Sequence, residues 1–128
     1  MKLRIDLKST TPVYRQIVDG LRLLLVDGEL TPGSVLPPVR RLALDLGVHF
    51  NTVAEAYRTL AADGWLEIGA RSGARVIARK LENQPDPELF SQFQRRVREL
   101  AAEMQAKGFS RGRLARELRR FADALEGN

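Results

Sequence analysis

This chain of 128 residues has no cysteine, one histidine and one tryptophan, and aromatic residues make up only 6% of it. Without cysteine there is no disulfide, no thiolate nucleophile and no thiolate metal site. One histidine without clustered carboxylates is no ligand set, so neither a metal nor any other cofactor is expected. No apolar run approaches the ~20 residues that a membrane-spanning helix requires, and no membrane partner is expected. Residues 1–8 alternate Leu3, Ile5 and Leu7 with charges, which is not the apolar core of a signal peptide, so the expected location is cytoplasmic. Also missing are a glycine-rich phosphate loop after a strand, a spaced carboxylate pair, an internal repeat and a low-complexity tract. Enzyme chemistry therefore has no residues to run on, and an enzyme is not expected.

What is present is positive charge and apolar periodicity. Lys and Arg number 21 against 16 Asp and Glu, a net +5, and the isoelectric point is near 10.2. Residues 1–80 hold 12 basic against 8 acidic side chains, and residues 81–128 hold 9 against 8, so the excess sits in the first part. Such a balance favours a polyanionic partner. A 44% apolar share suffices for a packed core in one domain with an appendage.

The most informative stretch is Val39–Leu60. It reads as a short helix over Val39–Leu46, a turn at Gly47-Val48 and a second helix from Phe50. Leu42, Ala43 and Leu46 recur at helical spacing in the first, and Val53, Ala56, Tyr57 and Leu60 in the second. Two short helices meeting at a glycine-containing turn have the form of a helix-turn-helix, whose second helix enters the DNA major groove.

The flanks fit around it. Leu3, Ile5 and Leu7 suggest a short strand or an extended arm. Thr11 as N-cap and Pro12 at the first helical position open a helix whose apolar face is Val13, Ile17, Leu21, Leu24 and Leu25, with Gly28 at its C-cap. Pro32-Gly33 suits a type II turn, and Leu36-Pro37-Pro38 is extended. Asp63-Gly64 ends the second helix of the motif. Trp65–Ile68 and Arg75–Ala78 read as strands joined by a loop over residues 69–73, a hairpin in the position of a wing. Residues 81–87 read as a polar, proline-broken linker. In 88–128, Leu89, Phe93, Val97, Leu100 and Met104 follow spacings of 4, 4, 3 and 4, with Phe90 and Ala101 beside them. Gly108 ends that helix, and Ser110 caps a last one whose face is Leu114, Leu118, Phe121, Ala122 and Leu125. The expected fold is mainly α with a small β-wing (α+β). A winged helix-turn-helix over residues 1–80 would be followed by a C-terminal two-helix hairpin over 88–128.

The run Pro12-Val13-Tyr14, Gln16-Ile17, Gly28-Glu29-Leu30, Pro32-Gly33, Leu36-Pro37, Arg40, Leu42-Ala43, Leu46-Gly47-Val48, Asn51-Thr52-Val53, Ala56-Tyr57, Leu60, Gly64-Trp65-Leu66 and Gly73 before Val76 resembles the winged-helix half of the GntR family of bacterial transcription regulators. About 50 further residues cannot hold the large ligand-binding or aminotransferase-like domains of other branches. The short helical remainder is similar to the YtrA-type branch, in which two C-terminal helices make a dimer. This resemblance implies a regulator, in the form of a repressor, binding a palindromic double-stranded DNA operator as a homodimer, and suggests control of a transporter operon. A small-molecule effector is neither required nor excluded. Two departures stand out: Pro38 replaces the usual serine after Leu-Pro, and His49-Phe50 replaces the usual Ser or Thr followed by Arg.

The candidate DNA-binding residues are Arg40, Arg41, His49, Phe50, Asn51, Thr52, Arg58, Arg71, Ser72, Gly73 and Arg75. The resemblance places Arg40 near phosphate, where a solvated surface arginine is the alternative. Asn51 can pair bidentately with adenine and Thr52 can meet a phosphate or a thymine methyl, while both are also ordinary helix-start residues. His49 could contact phosphate more strongly when protonated, or be a plain cap or surface residue. Phe50 could touch a sugar or thymine methyl, or pack on a loop or a neighbouring subunit. Arg71 at the wing tip and Arg75 at its base could reach phosphates or the minor groove. Tyr57, Leu60 and Trp65 are core candidates. The candidate dimer interface is Leu89, Phe90, Phe93, Val97, Leu100, Met104, Leu114, Leu118 and Phe121, because two narrow-faced helices cannot build a core alone. Arg111, Arg113, Arg116, Arg119 and Arg120 read as a solvated face. An architectural module that coats DNA without sequence preference, or a protein-interaction module, is the alternative function.

Overall fold

Leu42, Ala43, Val53, Ala56, Tyr57 and Leu60 recur at the spacing that places them on the inner faces of two adjacent helices, and all six are buried. A computed structural model describes residues 1–69, 73–79 and 85–127 of the chain. Its elements are α1 (Val13–Val26), α2 (Val39–Leu46), α3 (Phe50–Ala62), β1 (Leu66–Gly69), β2 (Gly73–Val76), α4 (Pro87–Ala106) and α5 (Arg111–Glu126). They fall into two units, Met1–Lys80 and Leu81–Gly127. The expected class, mainly α with a small β-wing, is the one observed.

In the first unit α3 is central and packs on α1, α2 and β1. Ile17, Val18 and Leu21 of α1 meet Val53, Ala56 and Leu60 of α3 in one apolar cluster, closed by Leu36, Leu66, Ala74 and Val76. The two helices of the motif have the bounds expected from the sequence. Gly47 adopts the left-handed conformation (φ 70, ψ 35), which a side chain would strain, and it turns the chain from α2 into α3. Val48 donates its N–H to the Ala43 carbonyl (3.0 Å) and packs on the core in the angle. The buried Tyr57 hydroxyl donates to the Pro37 carbonyl (2.7 Å), tying α3 to the extended segment before α2. Burial raises the Tyr57 phenol pKa above its ordinary value, so it remains a donor.

Several local readings need correction. α1 begins at Val13, with Pro12 (ψ 144) as its cap residue and no side-chain cap, so Thr11 does not cap it. Proline has no N–H to pair, and its fixed φ serves as well just outside the first turn as inside it. The residues before it are held instead by Gln16. Its Oε1 accepts from Asp6 N (2.8 Å), while its Nε2 donates to the carbonyls of Asp6 and Thr11 (2.9 Å each). Residues 1–6 are accordingly an extended arm and not a strand. Leu3 and Ile5 pack on the core, and Leu3 approaches so close to Gly20 that a Cβ there would lie 2.8 Å from it. At its other end α1 has Asp27 as C-cap, and Gly28 follows it at φ 81.

The sheet is also shifted. β1 and β2 pair antiparallel, Leu66 with Val76, Glu67 with Arg75, Ile68 with Ala74 and Gly69 with Gly73. Gly73 and Ala74 are therefore strand residues, whereas Trp65, Ile77 and Ala78 lie outside. The second strand is fixed from its other edge by an unanticipated neighbour. Gly33 N donates to Val76 O, Val76 N to Ser34 O and Leu36 N to Ala74 O, each at 2.8 Å, with Val35 bridged to Arg75. The turn leading there is the expected one, with Pro32 and Gly33 (φ 98) central and Ser34 N bonded to Thr31 O. Trp65 packs against the core but is only partly buried, and the Arg79 guanidinium lies over its ring (5.0 Å). Arg79 Nε also donates to the Asp63 carbonyl, while the Asp63 carboxylate pairs with Arg22 of α1.

In the second unit, α4 starts at Pro87, one residue before the expected helical region. Asp86 is its N-cap, accepting from Glu88 N (2.9 Å), so the linker does not extend to residue 87. Gly108 (φ 106) closes α4, and Ser110 caps α5 by accepting from Arg113 N (3.2 Å). Among the described residues, neither helix has a buried residue, and α4 and α5 are not among the closely packed helix pairs of the chain.

Replacing Tyr57 with Phe removes the donor to Pro37 and leaves that carbonyl unpaired. The expected loss is about 1–2 kcal/mol in urea unfolding, with an unchanged denaturant slope.

Candidate nucleic-acid interface

Packing α3 by Val53, Ala56, Tyr57 and Leu60 leaves the opposite stripe, Asn51, Glu55 and Arg58, exposed at intervals of 4 and 3. Thr52 and Ala54 flank it, partly covered. The first turn of the helix is organised by His49. Its Nδ1 accepts the Asn51 backbone N–H at 3.1 Å, so His49 is the N-cap. This hydrogen bond requires Nδ1 to be bare, which puts the proton of the neutral ring on Nε2. A second proton on Nδ1 would break the cap. The added charge expected to strengthen a phosphate contact would thus come at the expense of the helix start. Thr52 N bonds to the His49 carbonyl (3.1 Å), and the Asn51 side chain has no partner among the described residues.

Phe50, the first residue of α3, is 38% exposed despite its size. It stacks on His49, with ring centroids 4.7 Å apart and planes at 25°. The Arg40 guanidinium carbon also lies over the Phe50 ring, 4.7 Å from its centroid. Arg40, His49 and Phe50 thus come together where α2 begins and α3 begins.

The arginines differ in what they already hold. Arg41 pairs with Asp45 one turn along α2 (3.6 Å), and Arg75 pairs with its cross-strand neighbour Glu67 (3.6 Å). Both pairs are exposed and weak, yet each places a carboxylate against the cation. Arg40 and Arg58 have no acidic partner among the described residues. Gly73, paired with Gly69, begins β2 (φ 72), and Arg71 and Ser72 lie outside the described residues. The Pro38 that replaces the usual serine is the N-cap residue of α2 (ψ 148) and offers no side-chain cap. Sequence reasoning missed the Arg40–Phe50 and Arg79–Trp65 contacts, since no local pattern signals a cation over a ring 10 or 14 residues away.

The second unit carries an apolar surface. Leu89, Phe90, Phe93 and Leu100 of α4 are each more than half exposed, while Val97 and Met104 are partly covered. On α5, Leu118 is 47% and Phe121 38% exposed, with Leu114 partly covered. No helix among the described residues is long and apolar enough to cross a membrane, and no cluster of three or more potential metal ligands occurs among them.

Comparison with known proteins gives a consistent answer. The profile of the bacterial regulatory proteins, gntR family, matches residues 13–76. The chain is 40% identical over 65 residues to the HTH-type transcriptional repressor YtrA of Bacillus subtilis, covering 51% of this chain and 50% of that one. It is 44% identical over 78 residues to the HTH-type transcriptional regulator Rv1152 of Mycobacterium tuberculosis, covering 58% and 61% respectively. The matches to these two relatives therefore span only 50% and 61% of their lengths. A solved structure, YtrA from Sulfolobus acidocaldarius, a GntR-family transcription factor, aligns with a TM-score of 0.57 and 30% identity over 97% of this chain and 99% of that one. The match over half of the chain, with the winged helix-turn-helix it folds into, makes this protein a member of the GntR family of DNA-binding bacterial transcription regulators, of the YtrA type.

Proposed function

We propose that the chain is a sequence-specific repressor that binds a palindromic operator as a homodimer. The observation that carries this reading is the start of α3. Asn51 is exposed there with a side chain that has no partner among the described residues, on a helix whose other face is locked into the core. The neighbouring Phe50 carries Arg40 of α2, which has no acidic partner among the described residues. In this reading Arg40, Arg58 and the His49 Nε2–H meet phosphates, and Asn51 and Thr52 meet base edges in the major groove. Arg41 and Arg75 contribute less, since each must leave a carboxylate to reach a phosphate. Residues 71–73 of the wing act on the adjacent backbone or minor groove.

Dimerisation is assigned to α4 and α5. Helices of 20 and 16 residues are about 30 and 24 Å long. Together they offer room for the roughly 800 Å² per partner that a stable interface needs. Their apolar faces are left largely exposed among the described residues, and a second copy supplies matching faces by symmetry. The dimer then presents two copies of α3 to half-sites about 10 bp, or a multiple, apart. The regulated unit we assign, on the YtrA-type resemblance, is a transporter operon. Repression follows the activity named for the Bacillus subtilis relative.

Two outcomes test this reading. Arg40→Ala is expected to weaken binding to all sequences and to lower the salt slope by about 1, whereas Asn51→Ala should relax preference at one base position by about 5- to 150-fold. Binding-site selection with both variants distinguishes these, and equal, uniform losses would refute the division of labour. Separately, introducing Glu at both Phe93 and Leu100 should convert a dimer to a monomer in sedimentation equilibrium while the thermal transition of the first unit persists. A wild-type chain that sediments as a monomer at operator-binding concentrations would refute the dimer.

A further inference from the structure

An arginine that is to meet a phosphate must be held in place without being neutralised. A carboxylate partner holds it but competes with the phosphate. An aromatic face holds it through the ring quadrupole and leaves the in-plane N–H donors of the guanidinium open. Arg41 and Arg75 are held in the first way, by Asp45 and Glu67. Arg40 is held in the second, with its guanidinium carbon 4.7 Å from the centre of the Phe50 ring. The ring is itself fixed, because it stacks on His49, whose imidazole is tied by Nδ1 to the first turn of α3.

We infer that Phe50 is a positioning residue for DNA binding, presenting the Arg40 guanidinium to a backbone phosphate and coupling it to the start of α3. This gives a large apolar side chain at an exposed position a task that burial does not. It also accounts for how the chain works without the arginine that the resemblance leads one to expect at position 50: the ring there places an arginine supplied by α2. The inference rests on the proposed contact between Arg40 and DNA.

The test is a double-mutant cycle on the full-length protein with its selected operator, read by fluorescence anisotropy between 50 and 200 mM salt, the range over which phosphate contacts declare themselves. Phe50→Ala is expected to weaken binding by about two- to five-fold and to reduce the salt slope in the wild-type background. In the Arg40→Ala background it should change neither. Phe50→Tyr, which keeps the ring, should restore both, and the thermal midpoints of all variants control for folding. Full additivity of the two alanine substitutions, or a loss equally large with Phe50→Tyr, would overturn the positioning role while leaving Arg40 as a contact. An Arg40→Ala variant with unchanged affinity and slope would instead refute the contact itself.

Discussion

The burial of one face of α3 is the constraint on which the rest of the structure depends. Val53, Ala56, Tyr57 and Leu60 are at most 2% exposed, and each removes apolar surface that α1, α2 and the sheet would otherwise leave wet. Fixing that face fixes the opposite one. With a period of 3.6 residues, Asn51, Glu55 and Arg58 have nowhere to go but solvent. The exposure of the proposed reading face is thus a consequence of the core.

The ends of α3 are held by different means. At the start, Gly47 makes the turn and His49 caps the helix, so the exposed first turn is ordered before any partner arrives. At the end, Asp63 joins three segments, pairing with Arg22 through its carboxylate and with Arg79 through its carbonyl. Tyr57 adds a buried hydrogen bond to Pro37, which sets the segment leading into α2. If this face is the recognition surface, as proposed, ordering it in advance reduces the entropy lost on docking.

The helices were largely legible in the sequence because their signals are local. Gly47, Gly64, Gly108 and Ser110 are chain-stoppers and caps that act within one turn, and the apolar spacing of α2 and α3 is unambiguous. The strands were less so. Their limits depend on pairing with Ser34–Leu36, a contact between segments about 40 residues apart that no local pattern encodes, and Ile77 and Ala78 look as strand-like as Ala74. The candidate site divides the same way. Phe50, Asn51 and Thr52 are placed by their position on α3. The state of each arginine depends on whether a carboxylate or a ring lies opposite, and only the folded chain shows that. His49 was readable as a cap residue. That its Nδ1 performs the capping, and so fixes its proton, was not.

The second unit explains why a regulator of this kind is proposed to act in pairs. The apolar residues of α4 and α5 follow a seam, yet neither helix has a buried residue among the described residues, and in the proposed dimer a second copy covers them. Joined copies would carry two reading heads at a spacing that a rigid duplex can register. The most direct test is hydroxyl-radical footprinting of the protein on its selected operator. Two protected patches of equal extent, related by a dyad and about 10 bp or a multiple apart, are expected. A single patch, or uniform protection along the duplex, would contradict it.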